Sequence, residues 1–185
     1  MPDGSVYAIT HDGYLLSFST DGEVTRKLRL PDYSTDKNPI AMTVDGGKIY
    51  ICANHILYGY LPGDSNAVKE LSFTTPAVVN TLIARPDHNL WLGSDEGIFC
   101  LNPNSTQLSP TPISLSSTDV AESLHPLLHD SRVVQLAEDP SGGMIVVTHT
   151  ELLFITDRVS AINPVPATGS ERSRGMVNAL CHDAS

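Results

Sequence analysis

One layout recurs four times along this chain, and it limits the possible folds more than any other feature. It consists of a Gly- or Asp-containing turn, a short β-type run, a polar turn and a second β-type run. The first copy reads Asp3-Gly4-Ser5-Val6-Tyr7-Ala8-Ile9 followed by Gly13-Tyr14-Leu15-Leu16-Ser17-Phe18. The second is Gly46-Gly47-Lys48-Ile49-Tyr50-Ile51 with His55-Ile56-Leu57-Tyr58-Gly59-Tyr60. Asp87-His88-Asn89-Leu90-Trp91-Leu92 with Gly97-Ile98-Phe99-Cys100-Leu101 is the third, and Gly142-Gly143-Met144-Ile145-Val146-Val147 with Leu152-Leu153-Phe154-Ile155 the fourth. With Tyr7, Tyr50, Trp91 and Ile145 in register, successive copies stand 43, 41 and 54 residues apart. That period is close to the ~40 to 50 residues of a four-stranded propeller blade.

Three copies carry a further run upstream: Ile40–Val44, Val79–Ala84 and Val133–Ala137. Downstream runs with Pro nearby (Val24–Leu30, Val68–Phe73, Leu108–Leu115, Ala161–Val165) suit outer edges, where a missing N–H is tolerated. The inner runs are apolar at nearly every position, as expected of a sheet covered on both faces. An all-β propeller of about four four-stranded blades is therefore expected, over residues 1–31, 40–74, 79–115 and 133–166. A sandwich would share the turn spacing but has no reason to repeat the layout. Residues 177–185 begin like a fifth copy (Val177-Asn178-Ala179-Leu180), while the first copy lacks its upstream run. This reads as one propeller region cut from a larger ring; the alternative is a four-bladed ring closed by Val177–Asp183 beside Val6–Ile9.

In the third copy, Val79-Asn80-Thr81-Leu82-Ile83 followed by Asp87-His88-Asn89-Leu90-Trp91-Leu92-Gly93-Ser94-Asp95-Glu96-Gly97-Ile98 resembles the repeat of the two-component-regulator propeller family. There an aromatic-rich strand ending in Gly-Ser or Gly-Thr precedes a Gly-Ile or Gly-Leu turn. Copies one and four match more loosely, and the second departs most, with Ala53-Asn54-His55 in place of Gly-Ser. The resemblance implies a sensor-type propeller acting as the extracytoplasmic input region of a signalling protein. The motif itself describes strand geometry and carries no chemistry.

Charge narrows the partners. The 11 Lys and Arg against 21 Asp and Glu leave a formal −10, which repels phosphate backbones, so nucleic acid is not expected. No apolar run approaches the ~20 residues of a membrane span, and the N-terminus has no basic region followed by an apolar stretch, so no direct membrane insertion is expected. The compartment stays open apart from the family's extracytoplasmic setting. Cys52, Cys100 and Cys181 share no ligand spacing and read as small buried hydrophobes.

In a propeller, the turns between second and third strands emerge on one face together with the linkers between blades. Those turns hold His11-Asp12, Asn54-His55, Asp95-Glu96 and, in the fourth copy, His149 and Glu151. Imidazoles and carboxylates converging there would grip a cation, a sugar or a basic peptide. The bland reading is that hairpin turns favour such residues for backbone reasons. The insertion Ser116–Asp130 adds His125 and His129, four apart, as weak metal candidates; Pro126 works against the helix that would align them. There is no Gly-x-Ser-x-Gly, no phosphate-cradling loop and no His-Glu-x-x-His. No cofactor is expected, and the expected role is binding of a small ligand or protein on the loop face. A propeller lyase or hydrolase using the same carboxylates and His is the alternative.

Overall fold

The structure, a computed structural model, describes residues 5–35, 39–74, 76, 78–105, 110–112, 132–138, 143–149, 152–156 and 159–164. The four copies form four separate antiparallel sheets. Blade A contains β1 (Val6–Ile9), β2 (Tyr14–Phe18) and β3 (Val24–Arg29). Blade B is built from β4 (Ala41–Asp45), β5 (Lys48–Ala53), β6 (Ile56–Tyr60) and β7 (Val68–Ser72). Blade C has β8 (Val79–Ala84), β9 (Leu90–Ser94), β10 (Gly97–Leu101) and β11 (Thr111–Pro112). Blade D comprises β12 (Val133–Glu138), β13 (Met144–Thr148), β14 (Leu152–Thr156) and β15 (Val159–Pro164). In every sheet the strands lie in sequence order, so each blade is a simple meander. This is the all-β propeller architecture expected from the repeat, and its four blades are consistent with an arc of a larger ring.

The proposed equivalences hold in the pairing. Tyr7 faces Ser17, Tyr50 faces Gly59, Trp91 faces Cys100 and Ile145 faces Phe154, each at the same rung of its hairpin. Two blades differ from the four-stranded pattern within the described residues. Blade A has three strands among the described residues rather than four, because β1 corresponds to the second strand of the other blades. The outer strand of blade C is two residues long there, with Pro112 opposite Phe99, where the missing N–H is tolerated at a sheet edge.

Packing between blades follows from strand alternation. Ile49, Ile51, Ala53, Tyr58 and Tyr60 turn one face of blade B onto Leu15 of blade A and Leu30 and Tyr33 of the following linker. Tyr50, Cys52 and Leu57 turn the other face onto Val79, Leu82, Leu92, Phe99 and Leu101 of blade C. Ile49 and Ile51 are fully buried, each worth about 1.5–3 kcal/mol of apolar transfer. Both faces of the blade are used, which explains the near-continuous apolar runs.

Polar contacts repeat the joint. The Thr43 hydroxyl accepts the Ala84 N–H at 3.1 Å across blades B and C, and the Thr81 hydroxyl accepts the Leu136 N–H at 3.4 Å across C and D. Arg85 is only 6% exposed; it pairs with Glu138 of blade D at 3.0 Å and lies 5.2 Å over the Trp91 ring. Lys48 pairs with Glu70 above Gly59, where any Cβ would overlap both side chains. Cys52 is buried, as expected, and burial pushes its thiol up to about 12. Cys100 is instead half-buried, since it points away from the apolar seam on β10, and Cys181 lies outside the described residues.

Candidate functional site

The turns β1–β2, β5–β6 and β9–β10 lie at one end of their blades, and the linkers between blades fasten them. The Tyr33 hydroxyl donates to the His11 carbonyl at 2.7 Å, and its ring fills the space beside Gly13. Asn54 Nδ2 donates to the Ser34 carbonyl at 2.6 Å and to its hydroxyl at 3.2 Å. The Phe73 N–H donates to the His55 carbonyl, and the Asp95 N–H to the Val78 carbonyl. Among the described residues, the linkers from blade A to B and from B to C each brace the turns of the two blades they join.

The candidate residues divide by environment. Asp12 accepts a hydrogen bond from the Thr10 hydroxyl, which holds its carboxyl below the usual range, with Lys27 adding a smaller attraction. Asp95 is half committed to architecture: Asn80 Nδ2 donates to it at 2.8 Å, and Arg132 Nε lies 2.9 Å away. Asn80 also donates to the Val133 carbonyl at 2.9 Å, so this cluster ties the blade C turn to the first strand of blade D. The Glu96 N–H donates to the buried Ser94 hydroxyl, which itself donates to the Gly97 carbonyl at 2.8 Å, closing the turn. His149 is exposed at the end of β13. Glu151, His125 and His129 lie outside the described residues, as does the insertion that carries the last two.

Blade B differs from the others. Asn54 and His55 form a two-residue turn with both φ angles positive, 50° and 61°, the left-handed backbone that twist-matched hairpins require. Neither residue is glycine, so the turn is held by its surroundings. Since a backbone carbonyl only accepts, the Ser34 contact sets the amide orientation and turns Asn54 Oδ1 the other way. There Asn54 Oδ1 and His55 Nδ1 are both buried with no hydrogen-bond partner. The two residues line a cleft between blades B and C with Pro39, Cys52, Ala53, Val78 and Val79, offering about 10 Å³ to a water centre. That is the lower limit for one water molecule or one terminal polar group. Among the described residues its lining carries no Asp, Glu, Lys or Arg.

No group of three or more His, Cys, Asp or Glu side chains converges on a metal-sized space among the described residues. The opposite face was not expected from sequence to hold a charged pair, but it does. His88, itself left-handed at φ 63°, reaches Asp45 of blade B, with Nδ1 at 3.0 Å from one carboxylate oxygen. That hydrogen bond, then the Asp45 charge, raises the His88 pKa above 6.5. The residues that sequence reasoning passed over on the loop face are Tyr33, Ser34 and Arg132. Their only signal was a position in linkers that a strand-by-strand reading treats as spacers.

No protein-family model matches this sequence, and no curated protein matches it. Solved structures do. The chain is similar to virginiamycin B lyase from Staphylococcus aureus (TM-score 0.65, 12% identity), covering 94% of this chain and 55% of the lyase. It is similar to the extracellular domain assigned to a hybrid two component system from B. thetaiotaomicron (TM-score 0.63, 12% identity), covering 97% of this chain and 22% of that one. A second such extracellular domain from that organism matches at TM-score 0.57 and 16% identity, covering 86% of this chain and 20% of that one. These likenesses define the class: the chain has the β-propeller fold, shared with extracellular domains assigned to two component systems and with a lyase. It spans about half the length of the lyase and about a fifth of those extracellular domains.

Proposed function

We propose that this chain is a non-catalytic β-propeller binding module of a larger signal-sensing protein of two-component type. Its loop face takes a small ligand or a protein through His11, Asp12, His55, Asp95, Glu96, His149 and Glu151. The observation that carries this reading is the pair of buried, unpartnered polar atoms on Asn54 and His55 beside a cleft on that face. A buried donor or acceptor left unpaired costs about 1–3 kcal/mol, so such a pair awaits a partner. The described lining, apolar apart from Asn54 and His55, favours a hydroxyl-sized group there, because an ammonium would meet no carboxylate among those residues. Likeness to the two extracellular domains supports the sensing role, and with it an extracytoplasmic setting.

A second reading, a propeller lyase or hydrolase using the same turns, has one observation in its favour. A histidine-to-alanine form of the similar S. aureus lyase is described as catalytically inactive and holds quinupristin. The test is calorimetry against divalent cations, a glycan panel and a basic-peptide panel, with the H11A/H55A/H149A variant and an H88A control. A binding heat lost in the triple variant and kept in the control is expected. Equal heats in all three proteins would overturn the loop-face assignment, and chemical conversion of the bound compound would favour the enzyme.

A further inference from the structure

A second concavity lies on blade A and the linker that follows it, whereas the cleft at Asn54 and His55 lies between blades B and C. A groove of about 470 Å³ is lined by Arg29, Leu30, Pro31, Asp32, Tyr33 and Asn66, within the range of about 300–1,000 Å³ of small-molecule sites. Its floor is apolar and immobilised. Leu30 is 1% and Tyr33 6% exposed. The Leu30 N–H donates to the Gly13 carbonyl at 2.9 Å, the Tyr58 hydroxyl to the Pro31 carbonyl at 3.0 Å, and the Tyr33 hydroxyl to the His11 carbonyl. Three separate anchors therefore hold a four-residue stretch.

The rim carries a cation, a carboxylate and an amide on exposed residues Arg29, Asp32 and Asn66. The Arg29 guanidinium stands 6.0 Å from the centre of the Tyr14 ring. Asp32 is held at φ 55°, a left-handed conformation that Asp tolerates but does not prefer. Neither Arg29 nor Asp32 takes part in the ion pairs between described residues. Opposite charges thus border one groove without meeting each other. A molecule bearing both complementary charges would satisfy them together, whereas a singly charged one would satisfy only one.

We propose that this groove is a binding site for a small zwitterion with an apolar side chain, an α-amino acid. Its carboxylate faces Arg29, its ammonium faces Asp32, and its side chain lies on Leu30, Pro31 and Tyr33, with Asn66 supplying a hydrogen bond. Arginine presents a planar fork suited to a carboxylate, and exposed ion pairs of this kind discriminate modestly.

The probes are L-leucine, N-acetyl-L-leucine, which lacks the ammonium, and L-leucinamide, which lacks the carboxylate. Binding is followed by amide NMR shifts of Leu30, Asp32, Tyr33 and Asn66. Leucine is expected to bind about fivefold tighter than either analogue. In Asp32→Asn, whose side chain suits the left-handed backbone, the preference over N-acetyl-leucine disappears and that over leucinamide stays. In Arg29→Gln the pattern reverses. The H11A/H55A/H149A variant binds leucine unchanged, because Tyr33 rests on the His11 main-chain carbonyl and not on its ring, which separates this site from the loop-face histidines. Absence of leucine-induced shifts, equal binding of all three compounds, or discrimination that survives both substitutions would overturn the proposal.

Discussion

Replacing Gly93 by alanine is the sharpest test of how the blades meet. Gly93 lies on β9 directly beneath the first strand of blade D. A Cβ built there would stand 2.5 Å from Thr81 Cγ2 and 2.6 Å from Val133 Cγ1. Both approaches are nearly an ångström inside ordinary van der Waals contact, and both neighbours are β-branched, with little freedom to rotate away. Val133 is fully buried, and the Thr81 hydroxyl is engaged with the Leu136 N–H. Relief therefore demands that blade D move as a unit. Overpacking of this kind costs about 1–3 kcal/mol, and losing the Thr81 bond would add about 0.5–1.5 kcal/mol. A loss of about 2–4 kcal/mol follows, measurable by urea unfolding. The decisive measurement is the cycle with Val133→Ala, which removes the struck methyl groups. The double variant should be about 1 kcal/mol more stable than the sum of the single losses. A G93A cost below about 0.5 kcal/mol, within the range of ordinary surface changes, or additivity in the cycle, would refute the claim that this glycine exists to admit the next blade.

Other outcomes follow from the same geometry. Ser94→Ala should cost about 1–3 kcal/mol in chemical denaturation, because the buried hydroxyl's bonds to the Glu96 N–H and the Gly97 carbonyl are both lost. Arg85→Met should be destabilising by about 1–3 kcal/mol, since Glu138 and the Trp91 face lose their partner together. The His88 pKa is raised in the folded protein, so its contribution to stability is fully present below the unfolded value of 6.5 and is lost as pH rises through the folded value. NMR titration should show a raised His88 midpoint that returns to the ordinary range in Asp45→Asn. Peptide-resolved alkylation at pH 8 should leave Cys52 unmodified until the protein unfolds, because burial suppresses its thiolate.

How much was legible before the structure is best judged at particular residues. The blades were readable because Tyr7, Tyr50, Trp91 and Ile145 each start the same hairpin, and local pairing with short turns depends on residues close in sequence. The grouping of turns on one face was also readable, since it follows from strand count alone. The division within that face was not. Asp95 meets Asn80 and Arg132 through one carboxylate oxygen, and the second of these lies 37 positions away in sequence. His55 has a buried ring nitrogen without a hydrogen-bond partner, and the linkers that bury it are remote in sequence from the Asn54-His55 turn.

The amino-acid order by itself determined the repeat, the alternation that makes each hairpin two-faced, and the acidic surface. Those properties are local or additive, so they survive being read one residue at a time. Only the tertiary structure decided which polar groups are consumed in joining blades and which are not. Arg29 and Asp32 on one groove, or Gly93 under Val133, are relations between surfaces brought together by packing, and spacing along the chain holds no measure of them.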